Sequence, residues 1–365
     1  MTSRCLLCND PRVSDSLGVC ASCLKGKESA LEVIAERRKS WRRSMGLPEE
    51  IPREGVKCNL CANECSIPDG GRGYCGTIIN DGGRLRPITG SWRVATGLYY
   101  LDPLPTNCVA NPVCPATTCR GYPEYTQICG PEYGMYNLAI FYGSCNIDCF
   151  FCQNADHKTM AARGRPVMTL ESLIRSALRD DVPCICAFGG DPGPWTPQLF
   201  LLYRRLREKS KGIKRMCWET NGLENEKIFL KMAELSLTSG GIVKVDFKAW
   251  TPQMFEALTG VRGRDRVLEN LKNISKLAKE REEPPLLVVS TLMVPYYLDL
   301  DEIRGISGFL AALDVNIPYI LLGFHPHHLA KDMPFTSRKF AEEAYKVAKE
   351  QGLKEVYIEN QWLLV

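Results

Sequence analysis

The stretch Cys145-Asn-Ile-Asp-Cys149-Phe-Phe-Cys152-Gln-Asn154 decides how the chain is read, and it follows an apolar run, Leu138-Ala-Ile-Phe-Tyr142, closed by Gly143-Ser144. The run has the apolar, aromatic composition of a buried strand, and Gly-Ser ends it. The cysteines then stand on a loop at the end of a strand, where α/β folds put their chemistry. The spacing C-x3-C-x2-C lets three thiolates converge on one face. Three thiolates leave one iron of a four-iron cluster open, and an open iron can chelate a ligand. The bland alternative is a zinc knuckle or buried thiols. No fourth ligand at zinc spacing lies nearby, which argues against it.

The motif resembles the radical S-adenosylmethionine (SAM) superfamily, whose hallmark is C-x3-C-x-aromatic-C, with Phe151 at the aromatic position. The resemblance implies a [4Fe–4S] cluster on Cys145, Cys149 and Cys152, with SAM on its open iron. It also implies reductive cleavage of SAM to a 5′-deoxyadenosyl radical, which abstracts hydrogen from an unactivated C–H bond.

The chain has 365 residues, enough for a large domain and one or two small ones. A net charge of +4, with Lys and Arg spread along the chain, does not indicate nucleic acid. No stretch of 18 apolar residues suggests a membrane span, and the N-terminus has no apolar signal region. Of 18 cysteines, 12 precede residue 130, in runs with metal-ligand spacing. A cytoplasmic protein with reduced, partly metal-bound thiols is expected. Open clusters are oxygen-sensitive, so an anaerobic host is expected too.

Cys5-x2-Cys8 and Cys20-x2-Cys23 form a paired knuckle suited to zinc or a single iron. The ion is either a folding clip or an electron relay. Residues 29–45 read as an amphipathic helix whose basic end, Arg37-Arg38-Lys39 and Arg42-Arg43, is expected to face solvent. Residues 46–56 read as a linker. Cys58, Cys61, Cys65 and Cys75 offer four further thiolates, with glycines between them that allow a tight wrap. Cys108, Cys114, Cys119 and Cys129 are more loosely spaced; ligands, mutual partners and plain buried thiols all remain open for them.

The segment from Cys58 to Cys75, with the Cys152-Gln-Asn154 ending, resembles AmmeMemoRadiSam-type proteins, close to the pyruvate formate-lyase activating enzymes. The resemblance covers about residue 56 onward and lies in short motifs. After residue 138 the chain alternates strand-like and helix-like runs. Strands are expected at 138–143, 184–188, 214–219, 242–247, 286–293 and 317–323. Helices are expected at 170–179, 196–209, 224–237, 265–280, 299–313 and 336–351. The alternation predicts an α/β fold with a mainly parallel sheet, a partial (β/α)6 radical SAM barrel behind a Cys-rich N-terminal region. The expected division is 1–45 (knuckle and helix), 46–137 (Cys-rich region) and 138–365 (barrel).

Strand ends carry the candidate SAM contacts that the resemblance implies. Phe188-Gly189-Gly190-Asp191-Pro192 matches a Gly-Gly-Glu-Pro segment that holds the SAM amino group, with Asp191 in place of Glu. Glu219-Thr-Asn221-Gly222 matches a segment beside SAM, and Asp246-Phe-Lys248 an Asp-hydrophobic-Lys pattern. Residues 246 and 248 share one face of a strand, so carboxylate and ammonium both point inward, as a site or as a structural ion pair. Ser290 stands where activating enzymes often carry an Arg for the SAM carboxylate. His325 matches a strand-end histidine near the ribose. His327 and His328 share its turn, but no carboxylate or thiol sits near enough in sequence to favour a metal site.

The resemblance favours a protein or peptide substrate, with ferredoxin or flavodoxin as electron donor. It also extends to the cobalamin-dependent enzymes that C-methylate methyl-coenzyme M reductase in methanogens, the glutamine-modifying ones in particular. That implies post-translational C-methylation, with cobalamin as methyl carrier and a further iron–sulfur cluster as an option. No Asp-x-His-x-x-Gly cobalamin loop is present. Glycyl-radical activation and a non-catalytic iron–sulfur carrier are the alternatives. A carrier does not need the ordered set of strand-end motifs.

Overall fold

The computed structural model describes residues 4–365. Its core is a nine-stranded sheet of order β13-β12-β11-β10-β9-β8-β6-β5-β7. Seven strands run parallel: β6 (Tyr136–Tyr142), β8 (Cys184–Gly189), β9 (Arg215–Thr220), β10 (Val243–Asp246), β11 (Leu287–Met293), β12 (Tyr319–Gly323) and β13 (Val356–Glu359). Helices α3 (Asp156–Arg163), α4 (Leu170–Ala177), α5 (Thr196–Lys209), α6 (Glu226–Ser239), α7 (Pro252–Thr259), α8 (Arg264–Leu277), α9 (Leu300–Leu313) and α10 (Arg338–Glu350) fall in the connections. Parallel neighbours need such crossovers, and the result is an open α/β barrel. The six expected strands are present, and β13 adds a seventh.

Local chemistry sets the helix bounds. Thr169, Asn225, Asp299 and Ser337 cap helix N-termini through their side-chain oxygens. Gly164, Gly240 and Gly260 end helices in the left-handed region.

Strand β5 (Val94–Pro103) pairs antiparallel with β6 along its length and with β7 (Val167–Thr169). The boundary expected at residue 138 therefore runs through the sheet. The strand that completes the barrel edge comes from the Cys-rich stretch, and a long loop, 104–135, returns the chain to β6. That loop packs into the concave face of the barrel. Leu104, Ala110, Val113, Cys114 and Ala116 form one buried cluster with Cys184, Cys186, Cys217, Ile242, Val288 and Ile320. The alternate strand residues, such as Ile185, Ala187 and Met216, join the larger core under the helices.

The N-terminal segment carries α1 (Ala21–Gly26) and α2 (Ser29–Ser44). Two small hairpins follow: β1 (Val56–Lys57) with β2 (Ser66–Ile67), and β3 (Ile78–Asp81) with β4 (Arg84–Pro87). The basic end of α2 corrects the expectation of a solvated face. Arg38 and Arg42 are buried, at 5% and 2% exposure, and both face Asp148. No helix among the described residues is long and apolar enough to cross a membrane.

Candidate active site

The three cysteines of the 145–152 loop open onto one cleft of about 250 Å³ at the C-terminal ends of the parallel strands. Phe151, Gly189, Gly190, Glu219, Asn221, Asp246, Lys248 and Ser290 line the same cleft, so eight of the ten expected cofactor contacts meet the three thiols.

Residues on both sides fix the loop. Asp148, fully buried, pairs with Lys158 of α3, with Arg42 at 3.3 Å and with Arg38 at 3.6 Å, and accepts from Trp41 Nε1 at 2.7 Å. Burial alone would raise its carboxyl, but Lys158, Arg42 and Arg38 hold it well below the usual carboxylate range. Asn221 donates to Asn146 Oδ1 at 2.6 Å, and Asn63 donates to the Asn146 carbonyl at 2.6 Å. Gln153 donates to the His325 carbonyl at 2.9 Å, and Asn154 to the Gly189 carbonyl at 3.1 Å. The two residues after the third cysteine thus tie the loop to two strand ends.

Gly190 must be glycine on steric grounds. A Cβ there would lie 2.0 Å from the Ser144 carbonyl oxygen. The close approach brings the β8 end against the cysteine loop. Gly189, at φ +116°, adopts a backbone that side chains disfavour.

The donor set fits a cluster with an open iron. Burial pushes the Cys145 and Cys152 thiols up, and Cys149 to about 12, so a metal must displace their protons. Lys248 and Lys158 pull Cys149 and Cys152 back down, and Lys248 lies 6.0 Å from the Phe151 ring centroid. Lys248 also pairs with Asp246 through Oδ2, while Asp246 Oδ1 is buried without a partner. An orphaned carboxylate oxygen on a cleft wall suits the ammonium or hydroxyls of a bound ligand.

Two expected residues stand elsewhere. Asp191 does not line the cleft. Its carboxylate accepts from Gly193 N at 2.8 Å, Asn221 N at 2.8 Å and Thr220 Oγ1 at 3.0 Å, so it braces two strand ends from behind. Burial raises its carboxyl, and burial with Asp191 nearby raises that of Glu224. His325 is exposed, with its ring edge-on to Phe335 at 5.5 Å. Its backbone, rather than its ring, meets the cysteine loop. Sequence reasoning missed Lys244, Asn360 and Val109 on the cleft wall. Lys244 had a signal: Lys244, Asp246 and Lys248 alternate on one strand face.

The other cysteines sort into distinct sets. Cys5, Cys8, Cys20 and Cys23 hold their sulfurs within 4.8 Å of one another, close enough for one ion. Cys58, Cys61, Cys65 and Cys75 line one small cavity with Gly73 and Pro194. Thr77 Oγ1 approaches Cys75 Sγ at 3.4 Å and Tyr74 N donates to Cys65 Sγ at 3.5 Å, as donors do around iron–sulfur sites. The hairpin loop holding Cys58, Cys61 and Cys65 bonds to the β9–α6 turn, through Ala62 N to Leu223 O and Asn225 N to Leu60 O. Cys119 and Cys129 are joined as a disulfide, so of the open readings for that group, mutual partnership holds for this pair.

The match to a family model agrees with this geometry. Residues 139–310 match the family model of the Radical SAM superfamily. An uncharacterized protein of Methanocaldococcus jannaschii is 27% identical over 319 residues, covering 86% of this chain and 83% of that protein. A probable GTP 3′,8-cyclase of Sulfurisphaera tokodaii is 25% identical over 211 residues, 58% of this chain and 62% of the cyclase. A domain of a pyruvate-formate lyase-activating enzyme from Bacteroides vulgatus aligns with a TM-score of 0.37 at 14% identity, over 48% of this chain and 98% of that domain.

Proposed function

Residues 139–310 form a radical SAM domain, and on that premise we propose that the chain uses it to modify a side chain of a partner protein, by C-methylation with cobalamin as methyl carrier. The observation that carries the radical SAM reading is the meeting, in one cleft, of three thiols with the ends of β8, β9, β10 and β11. A [4Fe–4S] cluster and SAM, when bound, supply the electron and the carbon radical that takes hydrogen from an unactivated C–H bond.

The chain's own residues do the rest. Cys145, Cys149 and Cys152 are the three cluster ligands. The glycine backbone at 189 and 190 lets the β8 end close on β6 and the cysteine loop at the cleft wall, while Asn221, Asp246 and Ser290 offer polar contacts to a ligand. Lys248 places a positive charge beside the thiolates. Phe151, Phe188, Leu292 and Leu322 form the apolar part of the wall, which limits water and keeps a reactive species near its target. Cys58, Cys61, Cys65 and Cys75, next to the β9–α6 turn, suit a further cluster. The substrate class rests on the Cys58–Cys75 segment and the Cys152-Gln-Asn154 ending, which resemble enzymes that act on proteins.

The test is anaerobic reconstitution with iron, sulfide and cobalamin, followed by a low-potential reductant (reduced flavodoxin or dithionite), an anaerobic protein extract as source of the partner, and SAM carrying a labelled methyl group. The expected result is 5′-deoxyadenosine, bound corrin and label transferred to a protein. A C145A/C149A/C152A chain that still forms 5′-deoxyadenosine sinks the radical SAM assignment of these thiols. Absence of corrin and of transferred label overturns the methylation and moves glycyl-radical activation or another hydrogen abstraction ahead.

A further inference from the structure

A second cavity, of about 100 Å³, lies deeper in the barrel and shares Phe188, Glu219 and Lys244 with the cleft. Five thiols line it. Cys108 and Cys114 come from the 104–135 loop, Cys184 and Cys186 from β8, and Cys217 from β9. On β8, positions 184 and 186 point to the same face. In the parallel register Cys186 lies beside Cys217. Barrel interiors are ordinarily filled by branched apolar side chains in packed layers. Here the corresponding positions carry sulfur and leave a cavity.

The surroundings suit a negatively charged metal–thiolate centre. Lys244, 3% exposed, places its ammonium 3.1 Å from Cys186 Sγ, 3.3 Å from Cys108 Sγ and 2.9 Å from Glu219 Oε1. A cation at that position favours thiolate over thiol. Ile242 N donates to Cys217 Sγ at 3.4 Å, a backbone contact of the type that stabilises cluster thiolates. Among the described residues, the N-terminal four are the set gathered for a single ion. Five thiols around one cavity exceed the four that a single ion takes, which suits a polynuclear centre.

We propose that Cys108, Cys114, Cys184, Cys186 and Cys217 supply the ligands of an additional iron–sulfur centre inside the barrel, beneath the SAM cleft. Five thiols exceed the four that a [2Fe–2S] or [4Fe–4S] cluster takes. The inference stands on these thiols, not on SAM chemistry, so it can fail or hold independently of the proposed function.

The full-length chain is reconstituted anaerobically with iron and sulfide, and both are counted per chain by chemical assay and native mass spectrometry. C184A/C186A/C217A leaves two of the five thiols and is expected to lose about two to four iron, with matching sulfide, relative to wild type. The same loss is expected when the three changes are added to C145A/C149A/C152A, which separates this centre from the SAM cluster. All three changes lie in core strands, so C108A/C114A/C186A, with a single strand change, repeats the measurement in case the strand variant does not fold. Iron and sulfide unchanged in a folded C184A/C186A/C217A or C108A/C114A/C186A chain overturns the proposal.

Discussion

Asp148 sits between Cys145 and Cys149, yet its carboxylate turns away from the cleft toward three cations from two helices. The pairing is buried on every side: Asp148 and its partners Arg38, Arg42 and Lys158 are all at most 5% exposed. Breaking a buried ion pair from one side costs about 3–5 kcal/mol, because the remaining charge is left unpaired. Asp148→Ala leaves three such cations, so the denaturant midpoint is expected to fall by at least that equivalent. Asp148→Asn keeps the shape and removes the charge. If it melts with the wild type, the charge contributes nothing. The sign with pH follows from a carboxyl held below its ordinary value. The stability is present above about pH 4, the unfolded carboxyl value, and is lost as pH falls below it; Asp148→Asn lacks that component. None of this was legible beforehand. Arg38 and Arg42 sit in a charged run, and their partner lies far along the chain, where local pattern does not reach. Cys184, Cys186 and Cys217 escaped for another reason: within apolar strands, cysteine reads as core filler.

At the scale of elements, the 104–135 loop decides what the barrel interior is. It is anchored by Glu132, whose carboxylate takes Arg215 of β9 in a two-point pair, one arm at 2.9 Å, and Thr126 Oγ1 at 2.7 Å. Arg215 also donates to the Tyr125 carbonyl at 2.7 Å. Glu132→Ala leaves a guanidinium buried at the barrel floor and is expected to cost about 3–5 kcal/mol in unfolding free energy. It should also expose Cys108 and Cys114 to alkylation in the native state. A variant with wild-type stability and unchanged alkylation shows that the loop does not depend on this anchor. The loop has no hydrophobic period and was invisible as an element. The strands and long helices were legible to within a few residues, because apolar runs alternate with amphipathic ones from residue 138 onward. The short β13 and the one- to two-turn helices α3 and α7 were missed. β10 and α4 are as short and were legible, because they fall where the strand–helix alternation places them; α3, α7 and β13 are additions to that alternation.

Across the whole molecule, the N-terminal knuckle is joined to the cluster loop through one tyrosine. Tyr297 OH donates to the Val19 carbonyl at 3.1 Å and accepts from Ser14 N at 3.0 Å, so it fastens the knuckle from inside. Its ring meets Phe150 at 5.7 Å, and Phe150 is the residue after Cys149. Asp15 N donates to Asp332 at 2.7 Å and Lys25 pairs with Asp299 at 2.6 Å, so the knuckle also spans the turns after β11 and β12. A segment this small would gain its order from an ion held by Cys5, Cys8, Cys20 and Cys23. Removing that ion should therefore loosen Tyr297, then Phe150, then the Cys149 ligand, even though the two sites share no side chain. The expected outcome for Cys8→Ala with Cys20→Ala is a lower melting temperature and faster loss of cluster iron to a chelator. The rate of 5′-deoxyadenosine formation per intact cluster should not change. If stability and cluster retention hold while turnover per cluster falls, the knuckle is an electron relay instead of a clip. The two readings, both open from spacing alone, then separate on one pair of substitutions.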